Sequence, residues 1–323
     1  MALTEEGLVR VPGLASRFVR LGSGAKAHYV TSGDTGPAVV LLHGGIIGSS
    51  GTAGWRFMAP FLGENGFRVY CPDMPGFGLT DGYDDLYKPG RAGNVDFLHD
   101  FVTAVCLDKF HLAGNSMGCM NTVNYVVAHP ERILSFALIA GHIGDLLPMR
   151  ELAKLDTRPR EARPVRNFDG SAKSMRTMME TIIARPEAIS DDLVQMRTLA
   201  ANRQREAYER QTAGGFGASD PLDNVRLSTK GRLDQLELPA IYLYGREDVL
   251  LPVELAYPQE DVLPHVQFFY PEETGHQGQT DQPEMFNQVF LEFFRDGIVS
   301  RKTADWAGVS TRRPELPNLV SAK

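Results

Sequence analysis

The stretch from Gly114 to Gly118 reads Gly-Asn-Ser-Met-Gly. A serine with a glycine two residues away on either side suits a strand-to-helix turn too tight for flanking side chains. Such a turn lifts the hydroxyl clear of the backbone as a nucleophile; the bland alternative for Ser116 is a turn residue at a strand end. A serine at its free pKa is a weak nucleophile and needs a base oriented by a third group. Of the eight histidines, His276 is best placed, in a Gly-bounded loop (EETGHQGQ) after the last apolar run. Asp248, at the end of YGRED, lies between serine and histidine in the chain and is the candidate orienting acid. Its neighbour Glu247 is weaker, because adjacent strand residues point to opposite sides. The structural alternative for Asp248 is a helix N-cap ahead of PVELAY.

Attack on a carbonyl also needs two backbone N–H groups aimed at the developing oxyanion. Met117, directly after the nucleophile, supplies one, and Gly44 or Gly45 in HGGIIG the other. His43 reads as structural, holding that glycine loop by hydrogen bonds. Met175, Met178 and Met179 read as packing, and Asp73 and Asp81 as residues that shape a loop.

These groups must be positioned by a scaffold. RFVRLG and AKAHYVTSG predict two short strands joined by a hairpin. AVVLLHG is a continuous apolar run, as expected for a strand buried on both faces of a parallel sheet. A helix (WRFMAPFLGENG), a strand (FRVYCPDMPG), a helix (VDFLHDFVTAVC), a strand (FHLAGN), a helix (MNTVNYVVAHPERI) and a strand (LSFALIAG) follow. This alternation predicts an α/β class fold, a mostly parallel sheet with helices on both faces. Between His142 and Leu236 only helical segments dense in Arg, Met and Glu occur, before the strand pattern resumes at Ala240–Asp248 and Val266–His276. The expected organisation is a core (1–141), an inserted helical lid (142–236), the rest of the core (237–298) and a tail (299–323). An insertion of that length is usually functional. The tail has no clean period and is expected to be extended or partly disordered.

With 323 residues, 43% hydrophobic and 23% charged, the chain can bury a substantial core. The formal charge of −7 argues against nucleic acid or an anionic membrane as the main partner. No apolar run reaches the length of a membrane span, and the N-terminus lacks the apolar region of a secretory signal. Cys71, Cys106 and Cys119 are too few and too scattered for a disulfide framework or zinc site. They are expected to be reduced, buried and cytoplasmic. The chemistry calls for no metal and no cofactor, only a small-molecule substrate.

At this point LLHGG, GFRVYCPDMPGFGLTD, HLAGNSMG, GREDVLLP and GHQGQTDQPEMFN together resemble the α/β-hydrolase fold. Within it the chain is similar to the meta-cleavage-product hydrolases, C–C bond hydrolases of aromatic-ring degradation, over residues 25–297. The resemblance implies that Arg197, in ISDDLVQMRTLAANRQRE, binds substrate and that Asn115 is a polar active-site residue. It also implies a homodimer. Two positions depart from the family. Ile46 and Ile47 stand where a third glycine and a proline are usual, and Gln277 stands where a tryptophan follows the histidine. Both departures fall in the expected substrate pocket. The resemblance implies hydrolysis of a vinylogous 1,5-diketone acid from ring fission. An esterase or lactonase for an apolar or aromatic ester is the rival, and the departures favour it. A receptor on a hydrolase fold is a further alternative. A dehalogenase or epoxide hydrolase is disfavoured, since those relatives carry aspartate where Ser116 stands.

Overall fold

The computed structural model describes residues 3–83, 86–159, 167–213, 221–313, 317 and 319–320. Eight strands form one sheet: β1 (Ala15–Arg20), β2 (Lys26–Ser32), β3 (Ala38–Leu42), β4 (Arg68–Pro72), β5 (Phe110–Asn115), β6 (Ile133–Ile139), β7 (Ala240–Leu243) and β8 (Val266–Phe269). Their order is β1-β2-β4-β3-β5-β6-β7-β8. The β1–β2 and β2–β4 pairs are antiparallel. Every pair from β4–β3 through β7–β8 is parallel.

Helices α1 (Gly51–Trp55), α2 (Met58–Glu64), α3 (Arg91–Ala104) and α4 (Met117–Ala128) connect the first strands. Helices α5 (Met149–Leu152), α6 (Ala172–Met179), α7 (Asp191–Ala213) and α8 (Pro221–Leu227) fall between β6 and β7. Helices α9 (Tyr257–Val262), α10 (Gly278–Asp281), α11 (Pro283–Asp296) and α12 (Arg301–Trp306) follow β7. The expected lid segment thus contains helices and no strand among the described residues; residues 160–166 and 214–220 of it lie outside them.

The apolar run of β3 explains the layering. Ala38, Val40 and Leu42 join the core that α3 and α4 cover, while Val39 and Leu41 join the opposite core under α2 and α11. A strand covered on both faces has no side that tolerates polar residues. A third cluster links Val9 and Ile46 to Met175, Met178, Met179, Leu193 and Met196 of the inserted helices, so the methionines are packing residues.

Three expectations change. The single helix read from Trp55 to Gly66 is two, with Arg56 and Phe57 between α1 and α2. Pro60 has no N–H to offer the carbonyl four residues before it, so the helix cannot run through. Cys71 and Cys119 are buried, but Cys106 is exposed in a left-handed turn (φ 56°) after α3. The tail is ordered over much of its length. Ser300 caps α12, and Tyr270 N–H and Ser310 N–H donate to Gly308 and Phe268 carbonyls at 2.7 and 2.8 Å, covering the outer edge of β8. The buried Glu260 holds Arg312 and Arg313 at 3.1 and 3.4 Å. Residues 314–316, 318 and 321–323 lie outside the described residues. Among the described residues, no helix is long and apolar enough to cross a membrane.

Candidate active site

Ser116 sits between β5 and α4 with φ 57° and ψ −114°, a conformation that costs an L-residue free energy and is tolerated only where the surroundings impose it. The glycines on either side explain how. A Cβ at Gly114 would lie 2.1 Å from the Gly118 carbonyl oxygen, and one at Gly118 2.3 Å from that of Leu42. Without side chains there, β5 can turn straight into α4 and leave Ser116 half-buried at the carboxyl end of the sheet.

His276 Nδ1 lies 2.7 Å from Asp248 Oδ2, and both residues are nearly sealed from solvent (1% and 4% exposed). Asp248 Oδ1 accepts the N–H groups of Leu250 and Leu251 at 2.9 and 2.8 Å. One oxygen of this carboxylate thus holds the turn and the other faces the imidazole. Glu247 instead accepts the Thr274 N–H. With Nδ1 facing a carboxylate, the His276 tautomer carries its proton there and leaves Nε2 free as an acceptor. Neither Nε2 nor the Ser116 hydroxyl makes a hydrogen bond to a described residue. The Asn115 side chain links the two segments: its Nδ2 donates to the His276 carbonyl at 2.9 Å and to that of Ile139 at 3.1 Å. Asn115 thus ties the His276 loop to the Ser116 turn, and its Oδ1 is buried without a partner among the described residues.

His43 behaves as the sequence suggests. Its Nδ1 donates to the Gly44 carbonyl at 2.7 Å and its Nε2 accepts the Met74 N–H at 2.9 Å. Burial pushes its pKa down, which keeps it neutral and the tautomer fixed. Because a trans peptide points its C=O and N–H in opposite directions, anchoring the Gly44 carbonyl turns the Gly45 N–H away from His43. Gly45 borders Met117, whose Cβ would stand 3.0 Å from a Cβ placed there; Gly44 borders Ser116 and Asn115. The Met117 N–H opens α4 and has no intrahelical acceptor.

Arg197, on α7, is 1% exposed. Its Nη2 donates to Gln277 Oε1 at 2.8 Å and its Nη1 to Ser49 Oγ at 3.5 Å, while Nε has no partner among the described residues. No described carboxylate pairs with it, and burial lowers its pKa to about 10. Gln277 therefore meets the guanidinium from the loop that carries His276. Ile46 is buried in the cluster joining the inserted helices to the core. Sequence reasoning missed two neighbours. Gln204, two turns along α7 from Arg197, accepts the Gly48 N–H at 3.1 Å and donates to the Ser49 carbonyl at 3.0 Å. The seven-residue spacing was the available signal. Arg56 is buried too, with Nη1 on Ala53 O and Thr280 Oγ1. Burial and the charge of Arg197 lower its pKa to about 9.

A family model described as alpha/beta hydrolase fold matches residues 37–283. The 2-hydroxy-6-oxo-6-(2'-aminophenyl)hexa-2,4-dienoic acid hydrolase of Metapseudomonas resinovorans is 29% identical over 298 residues, covering 89% of this chain and 94% of that protein. The 2-hydroxy-6-oxo-6-phenylhexa-2,4-dienoate hydrolase of Burkholderia cepacia is 28% identical, covering 87% and 97%. Among solved structures, a meta-cleavage product hydrolase from Pseudomonas fluorescens superposes with a TM-score of 0.69 at 22% identity, covering 87% and 97%. A thermophilic esterase from Thermogutta terrifontis superposes with a TM-score of 0.64 at 23% identity, covering 88% and 99%. These two structures support the fold and do not choose between substrates. With a strand-ordered core, a serine at the β5–α4 turn and a family match over most of its length, the chain is an enzyme of the α/β-hydrolase family.

Proposed function

We propose that the enzyme is a serine hydrolase that cleaves a C–C bond in a ring-fission product, a 2-hydroxy-6-oxo-dienoate. Ser116 is the nucleophile, His276 its base and Asp248 the orienting acid, with the Met117 amide and that of Gly44 or Gly45 at the oxyanion. One observation carries the choice of substrate class: Arg197 is buried, and its described hydrogen-bond partners, Gln277 and Ser49, are both neutral. A desolvated guanidinium is costly unless an anion completes it, and its planar fork matches a carboxylate. The dienoate supplies one.

The dienol is first ketonised, its hydroxyl proton moving to C5. His276 Nε2 then takes the Ser116 proton, and Oγ attacks the C6 carbonyl. The oxyanion collapses, the C5–C6 bond breaks, and its electron pair enters the enone as a dienolate, which takes up the proton held by His276. Water then releases the acyl group from Ser116. The Oγ–Nε2 hydrogen bond is made as substrate enters, since such bonds are often long in the free enzyme. Residues 142–236 act as the lid, Gln204 and Arg197 anchoring α7 to the loop at Gly48 and Ser49. The second reading, an esterase or lactonase, draws on the bulky apolar Ile46–Ile47 wall.

The test is turnover on ring-fission dienoates and on p-nitrophenyl or lactone esters, with Ser116→Ala as control. Ser116-dependent bleaching of a dienoate establishes the C–C reading. Ester turnover with every dienoate ignored overturns it. Silence on both, with tight binding of a small ligand, points to a receptor.

A further inference from the structure

A second imidazole stands beside the candidate triad and has no role in it. His142 follows β6, and its Nδ1 is buried without a hydrogen-bond partner among the described residues. Its pKa falls to about 4 through burial and the nearby His276, against the pull of Asp248. The ring is therefore a neutral donor and acceptor, next to the reacting groups.

The backbone leading to His142 is unusually constrained. Ala140 is left-handed at φ 46°, a conformation disfavoured for any residue with a Cβ, and its N–H donates to the Leu243 carbonyl at 3.1 Å. Gly141 is clamped on both sides. Its N–H donates to Tyr242 Oη at 2.9 Å, and its carbonyl accepts Tyr242 Oη at 2.6 Å and Gln259 Nε2 at 3.2 Å. A Cβ at Gly141 would lie 2.7 Å from the Ser116 carbonyl oxygen, so this turn abuts the nucleophile turn. Strain held by a rigid network, ending in an unsatisfied polar group beside a nucleophile, points to a ligand contact.

Sheet order gives the direction. The nucleophile follows β5. Arg197 reaches Ser49 in the loop after β3, on one side of β5, and His142 follows β6 on the other. A substrate with its carboxylate on Arg197 and its C6 carbonyl at Ser116 extends its 6-substituent toward β6. Asp248 lies within electrostatic reach of His142, so a second carboxylate there meets repulsion, whereas a neutral hydroxyl or amino group does not.

We propose, building on the C–C hydrolase reading, that His142 hydrogen-bonds the 6-substituent of the substrate, and that the preferred substrate carries a neutral hydroxyl or amino group there. His142 is a specificity-determining residue; it takes no proton in the reaction.

The test compares kcat/KM for 6-phenyl and 6-(hydroxyphenyl) dienoates. The wild-type enzyme favours the hydroxyphenyl substrates by about ten-fold, the scale of one net hydrogen bond. His142→Phe brings the ratio close to one, and His142→Gln restores part of it. A wild-type ratio near one, or a preference that survives in His142→Phe, overturns the proposal. A readout that needs no His142 variant uses Ser116→Ala protein with 15N-labelled imidazoles. Hydroxybenzoate shifts the His142 ring signals and benzoate does not; equal responses to both, or none, overturn the proposal. If every dienoate is inert, the C–C reading fails by itself. The benzoate pair, and phenyl esters of the same two acids, still decide the role of His142.

Discussion

Replacing Arg197 by methionine separates a binding role from a structural one, because the two predict opposite signs. A guanidinium held near pKa 10 by burial, against about 12.5 in water, is destabilised in its charged form by about 3 kcal/mol. Arg197→Met removes that cost and fills similar volume. It leaves Gln277 Oε1 without its 2.8 Å donor, which costs about 1–2 kcal/mol. The net expectation is a free enzyme more stable by about 1–2 kcal/mol, as found when buried charges give way to apolar residues. Substrate binding moves the other way. Losing a desolvated carboxylate–guanidinium pair costs about 3–5 kcal/mol, or at least about a hundred-fold in affinity. Arg197→Lys, which keeps the charge and loses the fork, falls between. The assay is urea unfolding of the free proteins together with spectral titration of a coloured dienoate in the Ser116→Ala background. A variant destabilised by more than about 2 kcal/mol that binds dienoate within about three-fold of the parent refutes the reasoning and makes Arg197 a packing residue.

Ser116→Gly and Ser116→Ala both lower kcat by about a thousand-fold or more. The glycine variant is the more stable of the two by about 1 kcal/mol, because only it relieves the positive φ at residue 116; equal unfolding midpoints count against strain at the turn. His111, whose ring faces Ser135 Oγ at 2.8 Å, has a pKa lowered by burial to about 4. The folded state therefore favours the neutral ring and the unfolded state the charged one. The stability it contributes is complete above about pH 6.5 and declines by about 3 kcal/mol as pH falls to 4. Unfolding curves across that window are shallower in pH for His111→Phe, and parallel curves contradict the assignment. Glu260→Gln leaves the partly exposed Arg312 and Arg313 without their buried carboxylate and destabilises the protein by about 1–2 kcal/mol. Backbone exchange from Gly308 to Ser310 rises first, and protection that stays at the wild-type level shows that the arginines do not hold the tail.

What could be read from residues alone follows from the range over which each feature is decided. The turn at Ser116 and the runs of β3, β5 and β6 are short-range patterns, set by a few glycines and an unbroken apolar stretch. The pairing of Asp248 with His276 was legible because both follow strands whose carboxyl ends share one edge of the sheet. Other features rest on contacts between segments far apart in the chain. A helix as rich in arginine and glutamate as α7 reads as a solvated surface, so nothing local marks Arg197 as buried. Its burial is decided by Gln204 gripping the loop at Gly48 and Ser49, more than 150 positions earlier. The same holds for the departure at Gln277. As a sequence difference it argues for a changed substrate. In the structure it is also a partner of Arg197, so its chemistry cannot be judged apart from that arginine. An amide oxygen aligns the guanidinium without neutralising it, which a carboxylate at the same position would do. Gln277 is therefore compatible with an anion-binding site and is no argument against one. Of the two departures, only the one at Ile46 and Ile47 is left as an argument about the substrate.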